Sequence, residues 1–397
     1  MSSPATPGAR LSSVDALRGL IMIIMALDHT RDFFHISAIS FSPTDLSRTT
    51  VPLFFTRWIT HYCMPVFMFT SGLGMYFFSQ RDHTRGQLSR FLWTRGLWLI
   101  VLELTVMQFA YNFSFSSRYV IFLLVLWIFG ICMIAMAALV YLPVRWLAAL
   151  SAAVIVFHNC LDRIQAERFG SYAWIWNLLH DPGILSVAGR SARSPYTLIP
   201  WVAVMASGFC FGAVFLLEPI RRRRIMMRLG LALTIAFIVL RSVNRYGDPF
   251  QWSHQKSAVF TLLSFLNCTK YPASLDFLLM TMGPALILLA YFDRRAFVMS
   301  NPLIVFGRVP LFYFILHFYL IHFLVLILEW ISYGTVVSRV IFGPAPSMGG
   351  AQSAANFRHG LGAVYVLWIV VVLLLYPVCR WFARYKSTHS NWWLSYL

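Results

Sequence analysis

The chain has 397 residues, 59% hydrophobic and only 12% charged, with a mean hydropathy of +0.69. A water-soluble protein carries roughly 25% charged residues, so this composition excludes a chain that covers itself with a soluble surface. The net charge of +18 does not indicate a nucleic-acid binder, because the basic residues punctuate the gaps between apolar runs, as the four arginines at 221–224 do.

Runs at 119–142, 197–217, 309–328 and 361–379 exceed the length that spans a bilayer and contain no Asp, Glu, Lys or Arg. Their period is wrong for a barrel, which alternates apolar and polar residues. The expectation is an all-α, polytopic integral membrane protein of about ten transmembrane helices, at 17–35, 51–79, 91–112, 119–142, 145–162, 197–217, 225–245, 272–292, 303–331 and 361–383. A short cytoplasmic tail, 1–16, precedes a transmembrane domain at 17–383, and a second cytoplasmic tail follows at 384–397. Basic residues gather at the short connections and in the C-terminal tail, while 163–196, 246–271 and 332–360 form long, charge-diluted connections. By the positive-inside rule this predicts N-in/C-in.

The first span, with Ser12 or Ser13 as its N-cap, carries the best clue to chemistry. Arg18 and His29 stand eleven residues apart; at about 100° per residue they share one helix face, and at 1.5 Å per residue they are ~16 Å apart, half a hydrocarbon core. Ionisable groups inside a span are costly, so they mark a functional site by default. Because Arg18, Asp28 and His29 interrupt the run, it is expected to be retained rather than cleaved. Arg18 requires an anion: Asp15 at i−3, or a ligand phosphate onto which a guanidinium forks. At the other end, His29 neighbours Asp32 at i+3, and Arg31 neighbours Asp28 and His35. A His beside a carboxylate suits a general base; an ion-pair cluster anchoring the helix end is the alternative.

Along the second span, Arg57 and His61 share a face and either line an acceptor pocket or snorkel to the interface. The glycines of Ser71-Gly72-Leu73-Gly74 allow close helix packing rather than cradling phosphate. Glu103 is a buried carboxylate of structural type. Pro182-Gly183 and the stretch 189–195 mark loop. The 253–276 segment is too broken for a simple span and reads as a re-entrant or interfacial piece, in which Lys270 meets a phosphate or carboxylate or anchors at the interface. His317 and His322 diverge by about 140° and are a poor metal pair, so each is a pocket or pore residue. The six cysteines form no C-x-x-C and are expected to be buried free thiols. No G-x-S-x-G, P-loop or H-E-x-x-H occurs, which disfavours a serine hydrolase, an ATPase or a zincin.

The first block, Ser13-Val14-Asp15-Ala16-Leu17-Arg18-Gly19 followed by the Met-rich run to Asp28-His29, resembles the start of the heparan-α-glucosaminide N-acetyltransferase catalytic family. The likeness continues through Pro43-Thr44-Asp45-Leu46, Thr56-Arg57-Trp58-Ile59-Thr60-His61, Leu198-Ile199-Pro200-Trp201, Lys270-Tyr271-Pro272 and Gly307-Arg308-Val309-Pro310. The Arg-x10-His spacing is shared with a broader transmembrane acyltransferase superfamily. The resemblance implies an acyltransferase of the cytoplasmic (inner) membrane. It would move an acyl group, acetyl foremost, from cytoplasmic acetyl-CoA to a hydroxyl or amine of an extracytoplasmic sugar or other acceptor, without a metal. Catalysis would rest on His29, with Asp28 or Asp32 orienting it, or on His35, since the lysosomal member of the family has its active histidine closer to that position. Cofactor contacts would fall on Arg18, Asp15, Lys270, Arg308 and His317, and acceptor contacts on Arg31, Arg57 and His61. The partners are then acyl-CoA, a glycan or small-molecule acceptor and the lipid bilayer, with no nucleic acid; a homodimer stays open. A proton-coupled transporter or lipid flippase is the alternative.

Overall fold

The computed structural model describes residues 12–81, 83–113, 120–187, 189–334, 359–389 and 391–395. Most of the N-terminal tail, most of the 332–360 connection and part of the C-terminal tail lie outside the described residues. The chain is a helical membrane protein; among the described residues six helices are long and apolar enough to cross a bilayer: Val144–Leu161, Leu198–Leu216, Pro219–Val243, Leu275–Phe292, Pro310–Ser332 and Leu361–Thr388.

Helix α1 (Ser12–Phe34) is apolar on nearly every side and is buried accordingly, from Val14 to Phe34. It packs against helices from both halves of the chain. The expected second span divides into α2 (Val51–Thr60) and α3 (Cys63–Ser79). Pro65 explains the break, because its ring has no N–H for the carbonyl of His61, four residues back, and crowds it. A capping box at Thr84 and Gln87 starts α4 (Arg85–Leu102), which loosens into a π turn at Glu103–Met107 and ends in α5 (Gln108–Asn112). Buried Glu103 accepts from the Leu124 and Leu126 amides at 3.1 and 2.9 Å and from the Tyr111 hydroxyl at 3.0 Å. It therefore caps the orphan N–H groups of α6 (Val125–Leu139), the structural role expected of it.

After α7 (Val144–Phe157) and α8 (Ala173–Leu179) comes a feature the sequence does not suggest. The stretch expected as loop forms a hairpin of β2 (Gly183–Val187) and β3 (Arg190–Ser194), turning at Gly189 with φ +73°. Strand β3 also pairs in parallel with β1 (Ile121–Phe122), Ile121 opposite Ala192. Arg-Ser-Ala-Arg-Ser has neither β-branched nor aromatic residues, so only the pairing partners make it a strand.

The remaining helices are α9 (Leu198–Phe211), α10 (Pro219–Val243), α11 (Ala258–Leu266), α12 (Leu275–Phe292), α13 (Pro302–Arg308), α14 (Pro310–Tyr333) and α15 (Leu361–Thr388). Pro310 splits the expected ninth span into α13 and α14. The broken 253–276 segment holds α11, whose end is tied down by buried Arg241 donating to the carbonyls of Phe265, Asn267 and Phe250 at 3.0–3.1 Å.

Glycines set the closest helix contacts. A Cβ on Gly19 would fall 1.8 Å from the Leu303 carbonyl oxygen, and one on Gly307 equally close to that of Asp15, so α1 and α13 touch backbone to backbone. Gly72 and Gly208 do the same for α3 and α9, as expected of Gly72. The starts of α1 and α10 meet the end of α12 at buried Asp293, which accepts from Arg222 at 2.8 Å and Arg223 at 2.9 Å. Arg224, Arg228 and Arg294 gather beside Arg223, which gives the bundle an arginine-rich end. At the opposite end the end of α1 reaches the chain just before α15, where the His359 amide donates to the Phe34 carbonyl at 2.8 Å. All six cysteines are free; four are buried, but Cys160, in the turn after α7, is exposed and Cys210, on α9, is half-buried.

Candidate functional site

Two cavities lie end to end along α1. The first, of 310 Å³, opens among α1, α3, α4, α6 and the start of α14; its walls are mainly Met, Phe and Leu, and its charges are Arg18 and Arg95. Arg18 donates to the Thr70 carbonyl and lies 3.8 Å from Asp15. Gly74 leaves the guanidinium room, since a Cβ there would only reach van der Waals contact at 3.4 Å.

The second cavity, of 400 Å³, gathers most of the titratable groups. Asp28, His29 and Asp32 come from the last turns of α1, Arg57 and Thr60 from α2, and Arg193, Tyr196, Lys270 and Tyr271 from connections at the opposite end. Phe67, Val125 and Phe314 line both cavities and form the partition between them. The Glu103 cap fixes the α6 terminus that carries Val125.

Within the second cavity the charges are unevenly matched. Asp28 is held between Arg31, at 2.8 Å, and Arg57 from the neighbouring helix, and Arg31 also reaches Asp32 at 2.6 Å. Lys270 is 9% exposed; its ammonium stands 5.3 Å from the Tyr271 ring and has no carboxylate in ion-pair contact among the described residues. Arg193 likewise has no ion pair among them. The Tyr271 hydroxyl donates to that of Tyr196 at 3.5 Å. Burial, and then the neighbouring Tyr271 phenol, hold Tyr196 well above its ordinary pKa, so it is a neutral hydrogen-bonding group at working pH.

His29 packs against Phe318 and His317, with ring centroids 4.2 and 5.2 Å away. No hydrogen bond joins its ring to Asp28 or Asp32 among the described residues, and its Nδ1 is buried without a partner. The expected His–carboxylate pair is thus replaced by Arg–carboxylate pairs, because Arg57 reaches Asp28 from a different helix.

Of the residues singled out by sequence, the structure brings Asp28, His29, Asp32, Arg57 and Lys270 to one cavity and places Arg18 in the other. Six line neither. His35 accepts from the Ser37 amide at 3.1 Å, outside the cavities. Asp15 is buried between Arg18 and Arg308, and Arg308 lies 3.8 Å from it on the far side. Arg31 is buried behind Asp28 and Asp32. His61 packs on Phe277, and His317 packs on the His29 ring. Lys270 sits with His29 rather than with Arg18, which separates it from the cofactor contacts expected there. Sequence reasoning missed Arg95, Arg193, Tyr196 and Tyr111; the adjacent Pro195-Tyr196 and Lys270-Tyr271-Pro272 were the available signal for the tyrosine pair.

The sequence profile described as heparan-alpha-glucosaminide N-acetyltransferase, catalytic, matches residues 10–246, more than half of the 397. That stretch runs from before α1 to just past α10 and includes Arg18, His29, Arg57 and Arg193. No curated protein matches the chain.

Proposed function

The chain belongs to the heparan-alpha-glucosaminide N-acetyltransferase catalytic family, and on that premise we propose that it transfers an acetyl group across a membrane, from acetyl-CoA on the cytoplasmic side to an amine or hydroxyl on the other. The observation that carries this reading is the pair of cavities meeting at Phe67, Val125 and Phe314. The Arg18 cavity suits a donor: two guanidiniums match phosphate, and apolar walls match a thin acyl arm. The His29 cavity suits an acceptor: a histidine for the proton, and Lys270 and Arg193 to meet an anionic group on the substrate.

The helix order supports ten crossings, made by α1, α2 with α3, α4, α6, α7, α9, α10, α12, α14 and α15. With the arginine-rich end cytoplasmic, both termini fall on that side of the cytoplasmic membrane. The two cavities then face opposite compartments, with the reaction at their partition.

The chemistry needs one base. His29 takes the proton of the acceptor amine or hydroxyl as that atom attacks the thioester carbonyl. The charge that develops on the carbonyl oxygen lies in a cavity made positive by Lys270. Collapse expels the CoA thiolate, which receives the proton from the His29 imidazolium, so the enzyme ends as it began. Asp28, clamped by Arg31 and Arg57, holds the end of α1 and lends negative charge beside the imidazolium.

Donor binding is the direct test. Acetyl-CoA at a hundred times its Kd should stabilise the detergent-solubilised protein by about 2.7 kcal/mol, because it binds only the folded form. ATP should do much less, and Arg18→Ala should remove most of the acetyl-CoA effect. A folded protein whose melting temperature ignores millimolar acetyl-CoA would point to a transporter instead.

A further inference from the structure

His317 on α14 is fully buried and lines neither cavity. Its Nδ1 lies 3.1 Å from the Tyr313 carbonyl oxygen. A carbonyl only accepts, so Nδ1 carries the hydrogen, and the neutral ring presents Nε2 as a lone-pair acceptor. That Nε2 is buried without a partner. So is Nδ1 of His29, on the ring whose centroid is 5.2 Å away. Buried polar atoms are nearly always paired, and two unpaired ones on adjacent imidazoles, one a fixed acceptor and the other able to donate, are complementary. The carboxylates that would ordinarily orient a catalytic histidine are engaged elsewhere: Asp28 by Arg31 and Arg57, and Asp32 by Arg31.

We propose that His317 is the positioning residue for His29: its Nε2 accepts from His29 Nδ1–H as the two rings close up, which fixes the tautomer that leaves His29 Nε2 as the base. This rests on the reading of His29 as general base. A neutral acceptor suits the task. When His29 takes the acceptor's proton on Nε2, its Nδ1–H bond to His317 strengthens, and no second proton has to move. Phe318, packed on His29 from the same helix, restricts the ring to that orientation.

The test uses the full chain in detergent, with acetyl-CoA and glucosamine as probe substrates and release of the free CoA thiol as the readout. His317→Phe keeps the ring and removes the acceptor; kcat should fall about 10–100-fold, the usual worth of a residue that orients an active group. KM for acetyl-CoA and the stabilisation by acetyl-CoA should not change. His317→Gln returns an acceptor close to the lost Nε2 and should recover most of the rate. In a His29→Gln background, His317→Phe should lower the residual rate less than twofold, because partners acting as a unit are not additive. If the Phe variant does not fold, His317→Leu takes its place as the acceptor-free form. The inference is overturned if the acceptor-free variant keeps its rate within twofold of wild type while His29→Gln is inactive. It is also overturned if the Gln variant is no better than the acceptor-free one at equal melting temperature. Full activity in His29→Gln would instead bring down the base reading itself, which is how the two failures are told apart.

Discussion

At the scale of single residues, the decisive contrast is between His29 and His35, both at the end of α1. His29 lines the second cavity, whereas His35 is turned away and bonded to Ser37. His29→Ala should therefore keep its stabilisation by acetyl-CoA and lose about 10²–10⁴-fold in transfer, the usual contribution of a positioned base. His35→Ala should stay within about tenfold; a dead His35 variant beside an active His29 variant would reverse the assignment. Glu103 makes a different kind of prediction. Glu103→Ala removes the acceptor for two backbone amides and a phenol, each worth about 1–3 kcal/mol when stranded, so the melting temperature should drop sharply. A small drop would mean that solvent reaches α6 there. The Arg18/His29 pattern was legible because both lie on one helix with a known period. The Asp28–Arg57 pair and the His29–His317 contact were not, since their members lie 29 and 288 positions apart and meet only through packing.

At the scale of elements, proline and glycine govern where helices break and how closely they approach. Both unexpected breaks follow from a residue plainly present in the sequence, Pro65 or Pro310, but the length of the apolar runs masked them. The β-hairpin was hidden for the opposite reason: β3 has no β-branched or aromatic residue, and its order comes from pairing with β1 and β2. Gly19→Val should be strongly destabilising, by about 3 kcal/mol or more, because the clash is with backbone that cannot repack. Thermal unfolding monitored in detergent measures it, and a loss below 1 kcal/mol would show that α1 and α13 can separate. The partition makes a functional prediction. Phe67→Ala and Phe314→Ala each open the wall shared by the two cavities, and should raise the preference for butyryl-CoA over acetyl-CoA about tenfold, the worth of a methylene or two in an apolar pocket. An unchanged acyl preference would mean that the donor does not reach that wall.

At the scale of the whole molecule, composition and charge spacing were enough to identify a polytopic helical protein and to suggest which end faces the cytoplasm. They were silent about the two cavities, because a cavity is bounded by residues from five or more elements and has no signature in any one of them. If Arg18 serves the donor and His29 the acceptor, the protein is a transmembrane relay rather than an enzyme with one open site. The most direct measurement uses proteoliposomes of known orientation, with acetyl-CoA confined to the side of the arginine-rich end and glucosamine to the other. Acetylated glucosamine should form on the glucosamine side and be lost in His29→Ala, while the variant still binds acetyl-CoA. Product that forms only when both substrates share one side, or that forms undiminished in His29→Ala, would contradict transfer across the partition by this histidine.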